Sequence, residues 1–364
     1  MRIGIPRESK EGERRVGLDL AAVATLAKDG HEVRVAEGAG LGIGADDAAY
    51  RAAGARVVAP AEAWDAGLVV KVKEIQPGEW DSLRPGSTLF SFQHLVGEPQ
   101  LAREVAARAV TAIAYEMVRD ARGGIPLLAP MSVIAGRLAV QVGAHLLTLP
   151  AGGNGTLLAG CPGAPPARVL VLGGGHAGTH AAEVASAIGA KVTILTRSAA
   201  TRDALPARLG PAVETGLATP EAIERHALAA DLVVGAVFIP GTPTPKLLPR
   251  SLVARMKRGA VIVDICIDAG GIAETSRPTT LAEPTFVAEG VVHYCVPNMP
   301  GAVPQTSTIA LTNVTIRYAL EIADNGLAAA MRASKHLAAG VNTLDGACTC
   351  APVALAHNLG TGST

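Results

Sequence analysis

Three residues that can bind a carboxylate or move a proton occur in loops and at apparent strand ends in the first third of the chain. Lys73 lies in "VVKVKE" (69–74), His94 in "FSFQHL" (90–95), and Arg15 in the loop segment "EGERRVGL". Taken alone, each has a structural interpretation: a surface lysine with a buried stem, a hydrogen-bonded and partly buried histidine, or a solvated arginine. A lysine and a histidine at neighbouring strand ends of one sheet can instead bind an oxo acid and move its proton.

A carboxylate with possible chemistry, Asp268, follows the apolar run "VIVDICI" and precedes "AGG". A carboxylate just beyond the carboxyl end of a parallel strand lies where open α/β sheets bind ligands. The competing interpretation is an Asx-type turn into Gly270 and Gly271. Asp264, inside the same run, is expected to be structural.

The segment "VLVLGGGHAGTHAAEVASAIGAKVTILTRS" (169–198) has the pattern of a dinucleotide-binding strand–loop–helix–strand unit. Gly173 would make the tight turn, Gly175 would let the backbone approach a pyrophosphate, and Gly178 would let the helix pack on the strand. The N–H groups at the helix start then face the phosphates, and His176 is expected to be a spacer. A purely structural turn is the alternative, but the flanking strands favour nucleotide binding.

The second strand of this unit ends in Thr196, Arg197 and Ser198, where NAD-binding units have an Asp or Glu for the adenosine ribose. No carboxylate occurs in residues 191–202. The two hydroxyls and the guanidinium can bind a 2′-phosphate, so we expect NADP(H) to be preferred, with NAD(H) possible. The alternative is that Arg197 points to solvent and backbone groups hold the ribose, which would give dual specificity.

Strands that alternate with helical patterns must position these residues, which predicts a parallel α/β sheet. The predicted strands are Ile3–Pro6, Glu32–Ala36, Leu68–Lys73, Thr88–Phe92, Thr111–Ala114, Val169–Leu172, Val192–Leu195, Leu232–Ala236, Val261–Ile265 and Val291–Cys295. Helical patterns cover Leu18–Asp29, 131–149 and 308–325. We therefore predict an α/β fold with two Rossmann-like domains. An inserted dinucleotide-binding domain covers 131–303, and a substrate/catalytic domain is built from 1–130 plus 304–364.

The bulk composition excludes several classes of protein. The 364 residues contain 32 Lys+Arg and 32 Asp+Glu, so no net charge attracts nucleic acid or an anionic membrane. No apolar run approaches the ~18 residues of a membrane span. The five cysteines are scattered, which favours neither a disulfide framework nor a metal site. We expect a cytoplasmic protein with a small-molecule substrate and no nucleic acid, membrane or metal.

Motifs in order along essentially the whole chain resemble those of the alanine dehydrogenases. They are "MRIGIPRESKEGERRVGL", "VVKVKE", "FSFQHL", "AYEMV", "PLLAPMS", "VLGGGHAG", "GAVFIPGTPTPKL", "VIVDICIDAGG" and "VHYCVPNMPGAVPQTSTIALTN". The resemblance implies a reversible reaction in which pyruvate, ammonium and reduced nicotinamide give L-alanine. It also implies a homo-oligomer, often a hexamer.

The resemblance implies a role for each matching residue. Arg15 and Lys73 would hold the substrate carboxylate and carbonyl oxygen, and His94 would be the acid/base partner of that oxygen. Asp268 would position or deprotonate ammonia and water, and Asn298 and Met299 would close the site. The residues expected to contact the cofactor are Ser132, Gly173, Gly175, His176, Ala177, Gly178, Thr196, Arg197, Ser198, Val237 and Asp268.

Some residues depart from the family pattern: Val133 replaces a usual Glu, and Asn154 and Gln305 replace usual basic residues. Two other functions stay open, of which only the first follows from these departures. One is a specialised NADPH-dependent reductase of another 2-oxo acid or a preformed imine. The other is a non-catalytic nucleotide-binding or transhydrogenase-type component, which would need a membrane partner but not the set Lys73, His94 and Asp268.

Overall fold

A computed structural model describes residues 1–121, 123–239 and 242–358. The chain divides into two compact units, one made of residues 1–131 and 303–364 and the other of residues 132–302. Each unit contains a largely parallel sheet with helical connections, so the predicted α/β fold class is confirmed.

The strands and helices are numbered in chain order. The strands are β1 (Arg2–Ile5), β2 (Glu32–Ala36), β3 (Arg56–Val58), β4 (Leu68–Val70), β5 (Thr88–Ser91), β6 (Thr111–Ala114), β7 (Arg168–Leu172), β8 (Lys191–Thr196), β9 (Val213–Leu217), β10 (Leu232–Gly235), β11 (Val261–Asp264), β12 (Thr285–Ala288), β13 (Val291–Tyr294), β14 (Val341–Leu344) and β15 (Ala347–Cys348). The α-helices are α1 (Leu20–Lys28), α2 (Asp47–Ala52), α3 (Pro99–Ala107), α4 (Ala129–Leu146), α5 (His176–Ile188), α6 (Ala199–Leu209), α7 (Pro220–Ala229), α8 (Arg250–Val253), α9 (Pro304–Asn325), α10 (Leu327–Ala333), α11 (Lys335–Ala338) and α12 (Ala351–His357). Short 3₁₀ turns lie at Leu41–Ile43, Pro60–Trp64, Pro77–Ser82, Leu149–Ala151, Ile267–Ala269 and Met299–Ala302.

The sheet of the first unit has the order β3-β2-β1-β4-β5-β6-β14-β15. Strands β1 to β6 are parallel, and β14 and β15 extend the sheet antiparallel. The order reverses between β1 and β4. Ligands of such sheets bind outside the carboxyl ends of the strands at this reversal, so the loops after β1, β4 and β5 are candidates for a binding site.

The sheet of the second unit repeats this arrangement with the order β9-β8-β7-β10-β11-β13-β12. Its strands are parallel except for β12, which pairs antiparallel with β13 at the edge. From β9 to β13 this is the order of dinucleotide-binding Rossmann domains, and the reversal lies between β7 and β10.

Strand β7 shows why the second sheet is stable. Val169 and Val171 pack into one hydrophobic cluster, whereas Leu170 and Leu172 pack into another, because successive side chains of a strand point to opposite faces. Helices cover both faces of parallel sheets, so such strands are apolar throughout. Each fully buried Val or Leu side chain contributes about 1.5–3 kcal/mol of transfer free energy.

Several boundaries differ from the predicted ones. Strand β4 ends at Val70 instead of Lys73, since the backbone N–H groups of Val72 and Lys73 donate to the Glu8 carboxylate. Helix α4 begins at Ala129, before the predicted start, because a proline is tolerated in the first turn of a helix. None of the helices in the described part of the chain is long and apolar enough to cross a membrane.

Candidate active site

The loop after β1 carries a buried ion pair between Arg15 and Glu13. The Nε and Nη2 groups of Arg15 donate to the Glu13 carboxylate at 2.7 and 2.5 Å, and its main-chain N–H donates at 3.0 Å. Nη1 lies 3.0 Å from the Sδ of Met131. Burial alone would raise the pKa of the Glu13 carboxyl, but the hydrogen bonds and charge of Arg15 lower it to about 2. Arg15 is therefore a buried cation, and the alternative interpretation of a solvated arginine does not describe it.

Lys73 lies three residues beyond β4 and is 8% exposed. Glu8 fixes its backbone by accepting hydrogen bonds from the N–H groups of Val72 at 2.7 Å and Lys73 at 3.4 Å. Burial and then the positive charge of Arg15 lower the pKa of the Lys73 ammonium. Within the described ranges, Nζ of Lys73 has no hydrogen-bond acceptor, so it differs from a paired structural lysine.

His94 follows β5 in a left-handed backbone conformation, with φ +52°. This conformation is strained for a residue with a Cβ and persists only where the surroundings enforce it. The Glu116 carboxylate accepts the His94 main-chain N–H at 2.6 Å, and the ring stacks on Phe92 with centroids 5.9 Å apart. The residue is exposed, so the structural alternative of a partly buried imidazole does not describe it.

The topology brings these three residues to one edge of the first sheet. Arg15, Lys73 and His94 follow the carboxyl ends of β1, β4 and β5, which are neighbours in the sheet and include the order reversal. Arg15 and Lys73 are buried among carboxylates, with Glu13 paired to Arg15 and the charge of Glu74 acting on Lys73. These two cations can bind a substrate carboxylate, and the exposed imidazole can exchange a proton.

The glycine loop after β7 has a different steric reason for each glycine. Gly173 has φ +112°, and a Cβ there would lie 2.2 Å from the carbonyl oxygen of Ala236. A Cβ at Gly178 would lie 1.8 Å from the carbonyl oxygen of Gly173. A Cβ at Gly175 would meet nothing within 4 Å, so this side of the loop is open. The pyrophosphate of a dinucleotide fits this cradle, because the backbone N–H groups at the start of α5 lie beside it.

Helices α4 and α5 are close neighbours at this loop. A Cβ at Gly136 of α4 would lie 2.0 Å from the carbonyl oxygen of Ala177 in α5. Ser132 lies one turn earlier on α4 and is partly buried, whereas His176, the first residue of α5, is exposed. Ser132 and Ala177 are therefore carried by helices that meet near the glycine loop.

The end of β8 has no carboxylate. Thr196 is buried, its Oγ1 accepts from the N–H of Ser198 at 3.4 Å, and it would lie 3.3 Å from a Cβ placed at Gly174. Ser198 caps α6, and its Oγ accepts from the N–H of Thr201 at 3.1 Å. Arg197 is exposed and forms no ion pair with any residue that the structure describes.

Two aspartates, one at the end of β11 and one in the turn that follows it, have different surroundings. Asp264 is fully buried and accepts hydrogen bonds from the N–H of Ile272 at 2.8 Å and the Oγ of Ser276 at 2.6 Å. Burial raises the pKa of the Asp264 carboxyl. Asp268 is exposed, and its carboxylate accepts from the N–H of Asn298 at 3.4 Å. These contacts make Asp264 a brace of the turn and leave Asp268 open to solutes.

The Asx-turn alternative for Asp268 is not observed. The N–H groups of Gly270 and Gly271 donate to the carbonyl oxygens of Ile267 and Cys266 at 2.9 and 3.0 Å, and not to the aspartate side chain. Asn298 has φ +56°. The structure thus brings Asp268 together with the segment that contains Asn298 and the buried Met299.

Other predicted residues lie in varied surroundings. The N–H of Val237 donates to the Sγ of Cys266 at 2.9 Å. Asn154 donates to the Asp231 carboxylate at 3.2 Å, just before β10. That is the amino-terminal edge of the second sheet, opposite to the glycine loop, so Asn154 has a structural partner there. Gln305 is exposed in the first turn of α9.

Sequence reasoning missed the carboxylates that hold the site residues, namely Glu8, Glu13 and Glu116. Glu8 and Glu13 belong to the charged segment "RESKEGERR", and Glu116 to "AYEMV". The alternation of acids and bases in the first segment was the available signal. Their partners lie up to 65 residues away in the chain, as between Glu8 and Lys73, so spacing alone could not pair them.

The comparison with known families decides the relationship. The alanine dehydrogenase/PNT N-terminal domain matches residues 4–135, and the alanine dehydrogenase/PNT C-terminal domain matches residues 139–351. The chain belongs to the alanine dehydrogenase/PNT family. The family resemblance read from the motifs is thereby confirmed.

Relatives in the alanine dehydrogenase/PNT family cover nearly the whole chain. The alanine dehydrogenase of Halomonas elongata is 47% identical over 361 residues, which cover 99% of this chain and 97% of the relative. The alanine dehydrogenase of Bacillus subtilis is 48% identical, and the alignment covers 97% of this chain and 94% of the relative. A solved L-alanine dehydrogenase structure superimposes with a TM-score of 0.95 at 43% identity, and the match covers 98% of this chain and 99% of that structure. A transhydrogenase from Sinorhizobium meliloti, 24% identical over 96% of this chain and 99% of its own, shares the fold with a TM-score of 0.83.

Proposed function

We propose that this chain is an L-alanine dehydrogenase, which interconverts L-alanine with pyruvate and ammonium by using a nicotinamide dinucleotide. The observation that carries the proposal is the set Arg15, Lys73 and His94 at the carboxyl edge of the first sheet. The similarity to alanine dehydrogenases along almost the entire chain supports the same activity.

Arg15 and Lys73 bind the oxo acid in this proposal. The ammonium of Lys73, for which the described ranges contain no hydrogen-bond acceptor, offers its donors to the substrate carboxylate, and burial strengthens the attraction. Glu13 holds the guanidinium by two parallel hydrogen bonds, so its orientation is fixed before the substrate arrives.

His94 and Asp268 carry out the proton transfers in this proposal. His94 protonates the substrate oxygen as it departs as water, and the reverse reaction takes that proton back. Asp268 positions ammonia and accepts its proton, for which the exposed carboxylate is suited. When bound, the reduced nicotinamide supplies the hydride to the substrate carbon.

The decisive experiment is turnover by the purified protein. L-Alanine with NAD⁺ or NADP⁺, and pyruvate with ammonium and each reduced cofactor, should both be converted. A panel of other 2-oxo acids and cyclic imines tests the alternative of a specialised reductase, which would prefer one of them to pyruvate. Binding of cofactor without any amino-acid turnover would instead indicate a transhydrogenase-type component.

NADP(H) is the preferred cofactor in this proposal. Support comes from the end of β8, where Thr196 and Ser198 are hydroxyl residues and Arg197 is exposed without an ion pair in the described ranges. A guanidinium in this position can form two parallel hydrogen bonds to a 2′-phosphate. NAD(H) remains a usable cofactor, because the glycine loop recognises the pyrophosphate that both forms share.

A hexameric assembly in the cytoplasm completes the proposal. The resemblance to the alanine dehydrogenases supports the hexamer, and light scattering of the purified protein measures the subunit number.

The free thiols of all five cysteines support the cytoplasmic location, because free thiols are usual in reducing compartments. Cell fractionation tests this location.

A further inference from the structure

Lys246 lies in a segment that runs beside the turn containing Asp268. The N–H of Thr244 donates to the carbonyl oxygen of Ala269 at 2.8 Å, and the N–H of Leu247 donates to that of Ile272 at 2.8 Å. Leu248 and Ala273 form an isolated parallel bridge. The segment 244–248 is therefore tied by its backbone to both sides of the turn that follows Asp268.

The ammonium group of Lys246 binds three carbonyl oxygens of this turn. Nζ donates to Gly270, to Gly271 at 3.0 Å and to Ala273 at 3.1 Å. A lysine ammonium has three N–H donors, so these contacts match its full donor capacity. Gly270 and Gly271 are both left-handed, with φ +98° and +78°, which is how their carbonyls come to face one cation.

Asp268 depends on this turn for its position. Its carboxylate contacts the N–H of Asn298 at 3.4 Å, and in the described residues it has no ion pair that would fix its direction. It lies in the 3₁₀ turn Ile267–Ala269, directly before the carbonyls that Lys246 binds. Without a cation, those three carbonyl dipoles would repel one another, and only Asp264 and the backbone hydrogen bonds to segment 244–248 would oppose that repulsion.

We propose that Lys246 is a positioning residue for the reaction, acting through Asp268. The inference rests on the proposed function, in which Asp268 handles the ammonia proton. Lys246 contacts neither substrate nor cofactor in this assignment. It holds the turn by charge-assisted hydrogen bonds, and a displacement of about 1 Å at a reacting group costs up to about 100-fold in rate.

The test is a double-mutant cycle between Lys246→Met and Asp268→Asn, in which the kcat of L-alanine oxidation is measured for the wild type, both single variants and the double variant. Lys246→Met alone should lower kcat by about 10- to 100-fold, while the KM for L-alanine and the Kd of the cofactor change little. In the Asp268→Asn background the same substitution should add almost no further loss, because the group it positions is gone. Equal losses in both backgrounds, or no loss in either, would overturn the proposal.

Two further variants separate positioning from general damage. Lys257→Met is the matched control, since Lys257 is a lysine of the same unit that pairs with Asp231 at 2.7 Å; kcat should be unchanged. Lys246→Arg keeps the charge and several donors, so it should recover much of the lost kcat even if the methionine variant folds poorly. An arginine variant that folds like the wild type but has as little activity as the methionine variant would contradict the proposal.

Amide hydrogen exchange gives a readout that does not depend on turnover. Lys246→Met should speed exchange at Ile272 and its neighbours in 266–274 and leave β7 to β10 protected. Unchanged exchange in this segment would refute the role of Lys246 in holding the turn. A wild type without alanine turnover would count against the proposed function. If the wild type is active but Lys246→Met lowers kcat equally with and without Asp268→Asn, only this inference is refuted.

Discussion

Replacing Thr196 by aspartate should shift the cofactor preference from NADPH toward NADH. Thr196 ends β8 with its side chain beside the glycine loop, where the Oγ1 would lie 3.3 Å from a Cβ at Gly174. An aspartate at this position can accept hydrogen bonds from both ribose hydroxyls of NADH, and its charge repels a 2′-phosphate. The structure therefore predicts opposite effects of one substitution on the two cofactors.

The magnitude follows from two terms. The Coulomb repulsion between a carboxylate and a phosphate dianion about 5 Å away is about 1.7 kcal/mol in water, and salt lowers it further. The bonds that NADH gains contribute about 1 kcal/mol more. Together they should lower the ratio of kcat/KM for NADPH over NADH by roughly 30- to 100-fold. Because Arg197 is exposed, its hydrogen bond to the 2′-phosphate should be at the weak end of the range for charged groups. Arg197 should therefore favour NADPH over NADH by about tenfold in kcat/KM.

The assay is kcat/KM for both reduced cofactors at fixed, saturating pyruvate and ammonium. Thr196→Asn is the matched control, since it has the shape of the aspartate without its charge; it should lose little with NADPH. Arg197→Gln should lose about tenfold with NADPH and nearly nothing with NADH. The loss with NADPH should become smaller at high salt.

Two results would refute this reasoning. A wild-type enzyme with higher kcat/KM for NADH would show that Arg197 does not bind a 2′-phosphate. A Thr196→Asp enzyme with an unchanged ratio would show that the end of β8 does not contact the 2′ position. In the second case, the glycine loop would still bind the pyrophosphate, and discrimination would have to come from another element.

Four further predictions concern the proposed catalytic and substrate-binding residues and the buried ion pair. His94→Ala and Asp268→Asn should each lower kcat by about 100-fold or more at nearly unchanged cofactor Kd, and near-normal steady-state turnover would remove that residue from the mechanism. Lys73→Ala should raise the KM for pyruvate about tenfold or more. In the wild type, the KM for pyruvate should rise with pH below the ordinary pKa of a lysine, because burial and the charge of Arg15 lower the pKa of Lys73. Measuring the KM for pyruvate from pH 7 to 10 tests this prediction. Glu13→Gln should destabilise the protein by roughly 3 kcal/mol at pH 7 in urea unfolding, since the pKa of Glu13 falls from 4.5 to about 2 on folding. A lowered carboxyl pKa stabilises above the unfolded value, so the difference should shrink from pH 5 to 3, and a constant difference would contradict the assignment.

The glycine loop could be predicted from sequence because its requirements are local. Gly173 and Gly178 each avoid a backbone clash, and the neighbouring apolar strands are visible in the sequence. The presence of β4 and β5 was also predictable, although β4 ends at Val70 and not at Lys73, so Lys73 and His94 could be expected to follow neighbouring strands. Short strands with mixed composition escaped prediction, as in β9, where "VETGL" contains both a charge and a glycine.

The contacts that hold the site residues could not be predicted in the same way. Glu116 accepts the His94 N–H from 22 residues away, and Glu8 accepts the Val72 N–H from 64 residues away. Such pairs depend on which strands become neighbours, and the order of strands is a property of the whole sheet. The left-handed conformation of His94 is equally hidden, because nothing in "FSFQHL" requires it.

The two sheets share the order of their first five strands, but their loops offer an anion different groups. In the second unit, a bare glycine loop after β7 offers backbone N–H groups, and the open side of Gly175 admits a phosphate. In the first unit, the loop after β1 carries the buried charged side chains of Glu8, Glu13 and Arg15. A small carboxylate fits side-chain cations, whereas a pyrophosphate fits a row of amides. Loop composition, and not strand order, therefore supports the proposal that the dinucleotide binds the second unit and the oxo acid the first.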